Sequence, residues 1–246
     1  MKERPIIMGA ESVRAIHEGR KTQTRRVVDP HKYNIAGWDM PRTKEDMEAG
    51  YPFAENADGD FASVVDWCPY GRVGDRLWVR ETWGVVSHTF DENENIFDWK
   101  PNRPATPIQE LKFGTRYYDG YVIYEADGGF EWNAGDDCSI ETKSDWKSSM
   151  FMPRLASRIT LEITDIRVER VQDITKEDAK AEGISRDFAY ECNGWVPSYT
   201  DPDSGGYADY IAAYRTLWDS LNAKRGYPWE SNPWVWVVSF KVVQGC

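Results

Sequence analysis

The feature that most constrains the fold is the segment SRITLEITDIRVERV, residues 157–171. From Ile159 to Ile163 every second residue is apolar, which is the period of a strand that buries one face. Ile166 and Val168 continue the alternation from the other parity. Because a slip of one residue moves the apolar side chains to the other face, we expect a bulge or a sharp bend in one long strand, as a small closed barrel requires.

Several other segments have helix, strand or loop patterns. In chain order they are a helix over residues 9–19 with Ser12 as its N-cap and Gly19 at its end, a strand over 74–86, a helix over 173–184 that opens with a Thr175–Asp178 capping box, a loop over 185–207, a helix over 210–221 and a strand over 232–243. This order lacks the β-α-β rhythm of a doubly wound sheet. We therefore predict one domain over residues 1–246, of the α+β class, with a barrel-like sheet and flanking helices.

Much of the acidity of the chain lies in one central segment. The whole chain has a net charge of −11, and residues 85–145 hold five Lys or Arg against thirteen Asp or Glu, a net charge of −8. The segment mixes Asp, Asn, Gly and Pro and has one strand-like piece, GYVIYEA. We predict an acidic insertion with little core of its own, whose surface is available to a protein partner.

Composition argues against several classes of protein. No run of about eighteen apolar residues occurs, so no membrane span is expected. The four cysteines and three histidines lack the spacing of a metal site or a disulfide framework, which predicts free cytoplasmic thiols and no metal. No cofactor is expected either. The isoelectric point near 4.9 argues against a wholly basic nucleic-acid surface.

A cationic turn, GRKTQTRR at residues 19–26, follows the first helix. A threonine hydroxyl such as that of Thr24 becomes a good nucleophile when a base removes its proton, and Lys21 can be that base only in its neutral form. Neighbouring cations and burial both lower the pKa of a lysine. A solvated basic turn or a phosphate contact is the alternative interpretation, and the residues alone leave it open.

Four places along the chain resemble the ASCH domain, a relative of the PUA domain of RNA-associated proteins. They are GRKTQTRR, VGDRLWVRETW, MPRLASRITLEIT followed by DITKEDAKAEGI, and the closing NPWVWVVSF. The resemblance is closest to the larger ASCH proteins of bacteriophages and prophages, and it covers about residues 4–84 and 146–243. It implies a small PUA-like β-barrel with flanking helices, interrupted by an insertion at about 85–145. It also implies a cleft for a nucleoside or an RNA segment, in a protein of the bacterial host cytoplasm.

One branch of that family comprises small amidohydrolases that remove the acetyl group from N4-acetylcytidine. Their catalytic lysine and threonine, in a Lys-x-x-Thr motif, correspond to Lys21 and Thr24. Their glutamate, near the end of the helix after the long strand, corresponds to Glu182. A carboxylate at a helix C-terminus is disfavoured by the macrodipole, which suggests a role other than helix stability. The alternative for Glu182 is an ordinary exposed glutamate.

A second set of residues is predicted to bind the nucleotide, because arginines contact phosphate or base edges and an aromatic ring stacks on a base. The set consists of Arg25, Arg26, Arg80, Glu81, Trp83 and Arg154. Ordinary ion pairing at a barrel rim is the alternative for the charged members. A place in the core is the alternative for the tryptophan.

Four functions are therefore compatible with the sequence. The favoured one is amide hydrolysis of an N4-acylated cytidine-type substrate, in which Thr24 attacks, Lys21 takes its proton and Glu182 assists departure of the amine. The second is a non-catalytic module that binds RNA or a modified nucleotide. The third is a ribonuclease with Lys21 or Glu182 as the base. The fourth is a protein-interaction role for the acidic insertion.

Overall fold

The computed structural model of the chain describes residues 1–28, 53–55, 61–63, 68–90, 93, 95–130, 145–185 and 210–244, with backbone alone at 53–55 and 61–63. The chain forms two compact units. The first unit consists of Met1–Lys2, Glu18–Asp75 and Glu162–Lys241. The second unit consists of Glu3–His17, Arg76–Leu161 and Val242–Cys246.

Strands outnumber helices in the described part of the chain. The strands are β1 (Glu3–Ile7), β2 (Gln23–Val27), β3 (Phe53–Glu55), β4 (Phe61–Ser63), β5 (Arg76–Arg80), β6 (Trp83–Val86), β7 (His88–Phe90), β8 (Ile96–Asp98), β9 (Thr106–Phe113), β10 (Arg116–Tyr124), β11 (Thr160–Arg170) and β12 (Trp234–Gln244). The α-helices are α1 (Ala10–His17), α2 (Lys176–Ala181) and α3 (Tyr210–Asn222). The predicted α+β class is confirmed. The described strands form no closed barrel, and the PUA-like barrel stays a prediction.

The core of the first unit lies between strand β12 and helix α3. In sheet order β12 lies between β11 and β2, and it pairs antiparallel with β2 so that Thr24 is opposite Val238. The apolar face of α3 packs on this sheet through Tyr214 and Trp218, which join Val235 and Val237 in one buried cluster. The predicted helix over 210–221 and strand over 232–243 are both confirmed.

Strand β11 has the predicted slip in its pattern of burial. Leu161 and Ile163 are buried, the next two residues, Thr164 and Asp165, are both exposed, and burial resumes at Ile166. Two successive exposed residues change the buried parity, as the sequence predicted. The first two residues of β11 belong to the second unit and the rest belong to the first.

The second unit is mainly sheet. Strand β1 runs parallel to β5, and β10 pairs antiparallel with both β6 and β9. A buried cluster next to these strands contains Trp83, Val122 and Tyr124, and a second cluster contains Trp99 and Ile123. The expectation that residues 85–145 have little core of their own is therefore wrong for the described part of that segment. The strand-like piece GYVIYEA belongs to β10, whereas the polar composition of the segment gave no sign of β9, and both strands bury some of their side chains.

Gly120 interrupts the regular strand pattern of the β9–β10 pair. The register of the pair shifts between Tyr118 and Gly120, and Gly120 has φ +114°. A Cβ atom at this position would lie 2.5 Å from the carbonyl oxygen of Val86. Only glycine permits this conformation and this close approach, so a loop-like residue stands inside a strand.

Two local predictions need correction and one is confirmed. Ser12 is not an N-cap, because α1 already begins at Ala10. The single strand predicted over 74–86 is two strands, β5 and β6. The capping box of α2 is present, with Thr175 accepting from the backbone N–H of Asp178. Of the loop predicted over 185–207, all but its first residue lies outside the described residues.

Candidate functional site

Main-chain pairing in the first unit brings the cationic turn to the end of helix α2. The backbone N–H of Thr22 donates to the carbonyl oxygen of Ala181 at 2.8 Å, and Lys21 and Glu182 form an isolated antiparallel bridge. On its other side the turn is held by strand β12, because the N–H of Phe240 donates to the carbonyl oxygen of Thr22 at 2.8 Å. Backbone hydrogen bonds alone therefore bring together segments that are distant in sequence.

The Lys21 and Glu182 side chains form a buried ion pair. The Lys21 Nζ lies 2.8 Å from Glu182 Oε2 and 2.7 Å from the Glu182 carbonyl oxygen. Each side chain is only 4% exposed. An ammonium group has three N–H donors, and Glu182 accepts from two of them. The third makes no hydrogen bond within the described part of the chain, so it remains available to a ligand.

Glu182 is the C-cap residue of α2 rather than an exposed surface glutamate. Arg25 provides its second cationic partner, with Nη1 donating to Glu182 Oε1 at 3.3 Å. Both carboxylate oxygens therefore have a charged donor, which compensates for burial and for the unfavourable helix end.

Arg25 is the centre of a larger buried cluster. Its side chain is 0% exposed, and its Nε donates to Glu169 Oε1 at 3.1 Å. Its Nη2 also contacts Glu169 and lies 3.3 Å from Asp178 Oδ2. The Thr175 hydroxyl, the Arg25 charge and the Gln23 amide outweigh the effect of partial burial, and they lower the pKa of Asp178 from 3.8 to about 2.

Arg167 forms the outer side of the same cluster. Its Nε donates to Glu169 Oε2 at 3.0 Å and its Nη2 donates to Asp178 Oδ1 at 2.8 Å. Gln23 completes the arrangement by donating to Asp178 at 3.2 Å and accepting from Arg167 at 3.3 Å. We refer to the side chains of Lys21, Gln23, Arg25, Arg167, Glu169, Asp178 and Glu182 as the lysine cluster.

Thr24 is buried in β2, between Gln23 and Arg25. Because successive side chains of a strand point to opposite faces, Thr24 lies on the face opposite to those two residues. Of the three predicted catalytic residues, the structure therefore joins Lys21 directly to Glu182 and places Thr24 in the adjoining strand. Their catalytic role stays a prediction.

The electrostatics of the lysine cluster act on Lys21. Burial is the main cause that lowers the pKa of Lys21, and the charges of Arg26 and Arg25 lower it further. Glu182 acts in the opposite direction, but the net pKa is still below the ordinary value of 10.5. A lysine with a lowered pKa is easier to deprotonate, which suits a base.

The predicted nucleotide-binding residues Arg80 and Arg154 belong to the second unit. Arg80 donates to the carbonyl oxygen of Met150 at 3.0 Å, and its guanidinium carbon lies 4.6 Å from the ring centre of Trp78. Arg154 donates to Glu3 at 3.1 Å and to the Thr160 hydroxyl at 3.1 Å. Both are only partly buried, and both already have partners within the protein.

Glu81 and Trp83 of the same predicted set are enclosed. Glu81 is 1% exposed and accepts two hydrogen bonds from Arg158, at 3.0 and 2.9 Å. Trp83 is 0% exposed, and its ring packs edge-to-face on Phe113 with ring centres 5.1 Å apart. Neither side chain presents a surface on which a base could stack in this structure.

Sequence reasoning missed the acidic partners of Arg25. Glu169 follows Val168 in the alternating pattern of β11, which predicts a solvent-facing side chain, so the sequence contained no signal of its burial. Asp178 was recognised only as a capping residue. The partner that each of them meets depends on the pairing between elements, which no local pattern contains.

No protein-family model matches the chain, and no curated protein or solved structure matches it. The described residues include no group of three or more His, Cys, Asp or Glu side chains placed to hold a metal ion. None of the described helices is both long enough and apolar enough to span a membrane. Cys68 is buried and forms no disulfide with another described residue, and the other three cysteines lie outside the described residues.

Proposed function

We propose that the chain hydrolyses the amide of an N4-acylated cytidine or a similar nucleoside, with the site at the lysine cluster. The observation that carries the proposal is the buried pair of Lys21 and Glu182, 161 positions apart in sequence and 2.8 Å apart in space. A buried ion pair often adds little to stability. Its burial together with a spare lysine N–H supports a chemical role.

The pair suits the proton transfers of amide cleavage. Movement of one proton along the hydrogen bond from Lys21 to Glu182 gives a neutral amine beside a carboxylic acid. The amine accepts the Thr24 hydroxyl proton as the Thr24 oxygen bonds to the acyl carbon. The acid then donates a proton to the nitrogen as the carbon–nitrogen bond breaks. Water hydrolyses the resulting acyl-threonine ester and restores the resting state.

The test is incubation with N4-acetylcytidine and chromatographic detection of cytidine. Both Lys21 and Thr24 are buried, so variants should preserve side-chain volume. Thr24→Val removes the nucleophile and should lower kcat by at least about 10³-fold. Glu182→Gln removes the acid and should lower kcat by about 10²–10⁴-fold and change its pH dependence.

Thr22→Ala is the matched control for Thr24, because Thr22 is an exposed threonine in the same turn. It should hydrolyse the substrate at the wild-type rate. Wild-type protein that leaves the amide intact under all conditions would refute the proposal. Thr24→Val protein with the wild-type rate would refute the role of Thr24.

A non-catalytic nucleoside-binding module is the second candidate. It is favoured by the position of Thr24 on the face of β2 opposite to Arg25, since a site without a nearby nucleophile binds an amide without cleaving it. In that case calorimetry should detect binding of N4-acetylcytidine while chromatography detects no cytidine. Lys21→Met should then weaken binding, because it removes the N–H donor available to a ligand.

A further inference from the structure

Glu169 of strand β11 is a buried carboxylate that holds two arginines of the lysine cluster. Its side chain is 10% exposed. Its Oε1 accepts hydrogen bonds from both Nε and Nη2 of Arg25, and its Oε2 accepts one from Arg167 Nε at 3.0 Å. Glu169 forms no hydrogen bond with the described residues Lys21 and Glu182. A structural effect of Glu169 on that pair must therefore pass through Arg25.

The contacts with Glu169 fix the orientation of Arg25. A guanidinium group is rigid and planar, so holding Nε and Nη2 also sets the direction of the third nitrogen. This third nitrogen, Nη1, donates to Glu182 Oε1 at 3.3 Å. Because the Arg25 side chain is 0% exposed, solvent water does not compete for these nitrogens.

The two carboxylate oxygens of Glu182 are thereby divided between two cations. Arg25 holds Oε1, and the Lys21 Nζ lies 2.8 Å from Oε2. An arginine readily binds both oxygens of one carboxylate side by side. Without the contact to Glu169, Arg25 would be free to turn toward Glu182 and to compete with Lys21 for Oε2.

We infer that Glu169 is a positioning residue, which acts through Arg25 to keep Oε2 of Glu182 directed at Lys21. The inference rests on the proposed function and deepens it, because the proposed proton transfer from Lys21 to Glu182 follows this hydrogen bond. Glu169 itself takes no part in the proton transfers. All of these contacts lie within the lysine cluster, and none of them depends on Thr24.

Glu169→Asp tests the inference, because it keeps the charge and withdraws the carboxylate by one methylene group. With N4-acetylcytidine as substrate, kcat should fall by about 10–10²-fold, since even a small displacement of a reacting group slows a reaction. An unchanged kcat in folded Glu169→Asp protein would overturn the inference. Glu169→Gln is the companion variant, which keeps the shape and removes the charge. A loss of kcat in Glu169→Gln alone would show that Glu169 acts only by its charge, which would also overturn the inference.

Asp165→Asn is the matched control. Asp165 is also on β11 and lies 3.8 Å from Arg167, but its side chain is 58% exposed and it forms no ion pair with Arg25. It should therefore retain wild-type kinetics. Circular dichroism verifies that each variant is folded.

A second measurement follows Lys21 without any hydrolysis. In protein labelled with ¹⁵Nζ-lysine, the Lys21 resonance is the one that is lost in Lys21→Met. Glu182 raises the pKa of Lys21, so turning Oε2 away from Lys21 should lower this pKa further. The Lys21 resonance should therefore titrate at a lower pH in Glu169→Asp than in wild-type protein, and at the wild-type pH in Asp165→Asn.

The two measurements separate this inference from the proposed function. Hydrolysis by wild-type protein, with a lower kcat and a lower titration midpoint in Glu169→Asp, is the expected result. A lower midpoint without hydrolysis by wild-type protein would retain the positioning and reject the hydrolase. Hydrolysis with an unchanged midpoint would retain the hydrolase and reject the positioning. Neither hydrolysis nor a change in midpoint would reject both.

Discussion

In the described part of each unit an arginine is buried among carboxylates, but the two arginines share their partners differently. Arg158 in the second unit donates four hydrogen bonds, two to Glu81 and two to Asp127, at 2.7–3.0 Å. Its guanidinium carbon also lies 3.8 Å from the ring centre of Tyr124. We call this arrangement the Arg158 clamp. Among the described residues, Arg158 alone provides the charged hydrogen-bond donors for both carboxylates, and it shares neither carboxylate with a second cation.

Arg25 in the first unit shares its carboxylates instead. Glu169 and Asp178 also bond Arg167, and Glu182 also bonds Lys21. A shared carboxylate keeps one partner when another is withdrawn, so the cluster can exchange a contact with a ligand at lower cost. Burial alone therefore does not separate a structural ion pair from a candidate site. We expect unused or shared hydrogen-bonding capacity to separate them.

The largest effect should follow from breaking the Arg158 clamp. Arg158→Met leaves Glu81 and Asp127 without their cation, and Glu81 is almost wholly buried. Removing one partner of a buried pair typically costs about 3–5 kcal/mol. Urea unfolding followed by circular dichroism should show this loss in the free energy of unfolding.

Arg154→Met is the matched control for Arg158. Its ion pair with Glu3 is at the surface, with side chains 37% and 40% exposed. Such pairs contribute about 1 kcal/mol or less. If Arg158→Met and Arg154→Met lose the same free energy of unfolding, the claim that both carboxylates of the clamp depend on Arg158 is wrong.

A smaller loss of stability should follow from Lys21→Met. The substitution removes one partner of Glu182, but Arg25 still donates to Glu182 Oε1. We expect a loss of about 1–3 kcal/mol, the cost of one unsatisfied buried acceptor. The same urea measurement checks this expectation. A loss of unfolding free energy as large as that of Arg158→Met would show that the hydrogen bond from Arg25 does not compensate Glu182 for the loss of Lys21.

The smallest effect concerns acid stability. The pKa of Asp178 falls from 3.8 to about 2 on folding, so its stabilisation is complete above 3.8 and is lost as the pH falls toward 2. Because Asp178 is partly exposed, solvent screening limits this contribution to about 1 kcal/mol or less. Asp178→Asn should therefore flatten the dependence of unfolding free energy on pH in this interval.

Glu81 should affect the pH dependence of the unfolding free energy in the opposite direction. Burial raises the pKa of Glu81, so its contribution to stability is greatest at low pH and is lost as the pH rises through the raised value. Glu81→Gln should make the acid-side loss of stability steeper, where Asp178→Asn makes it flatter. Thermal unfolding measures both slopes, between pH 2 and 3.8 for Asp178→Asn and above pH 4.5, the ordinary pKa of a glutamate, for Glu81→Gln. Equal slopes would contradict the difference between the clusters.

Local features of the fold were predictable from the sequence. The capping box at Thr175 and Asp178 defines the start of α2 without reference to the rest of the chain. The slip after Ile163 is visible because β11 is long enough to show both parities. For the candidate site, the sequence indicated Lys21 and Glu182 through the family resemblance, and the structure shows them in contact.

Features set by pairing between distant segments were not predictable. The enclosure of Trp83 depends on Phe113 from β9, in a segment taken as an insertion. The two partners that Arg158 meets lie 77 and 31 positions away. Local patterns specify which side chains need partners, whereas the register between elements decides which partners they meet.

Because Lys21 and Glu182 are far apart in sequence, the order of biosynthesis determines when the pair can form. A ribosome must add 161 residues after Lys21 before its partner exists. Throughout that time the lysine is an ordinary hydrated cation with an ordinary pKa. Its altered acidity is therefore acquired only after α2 has been synthesised and lies beside a turn that was synthesised much earlier. A nascent chain has all of its cationic turn long before it has the buried ion pair of Lys21 and Glu182.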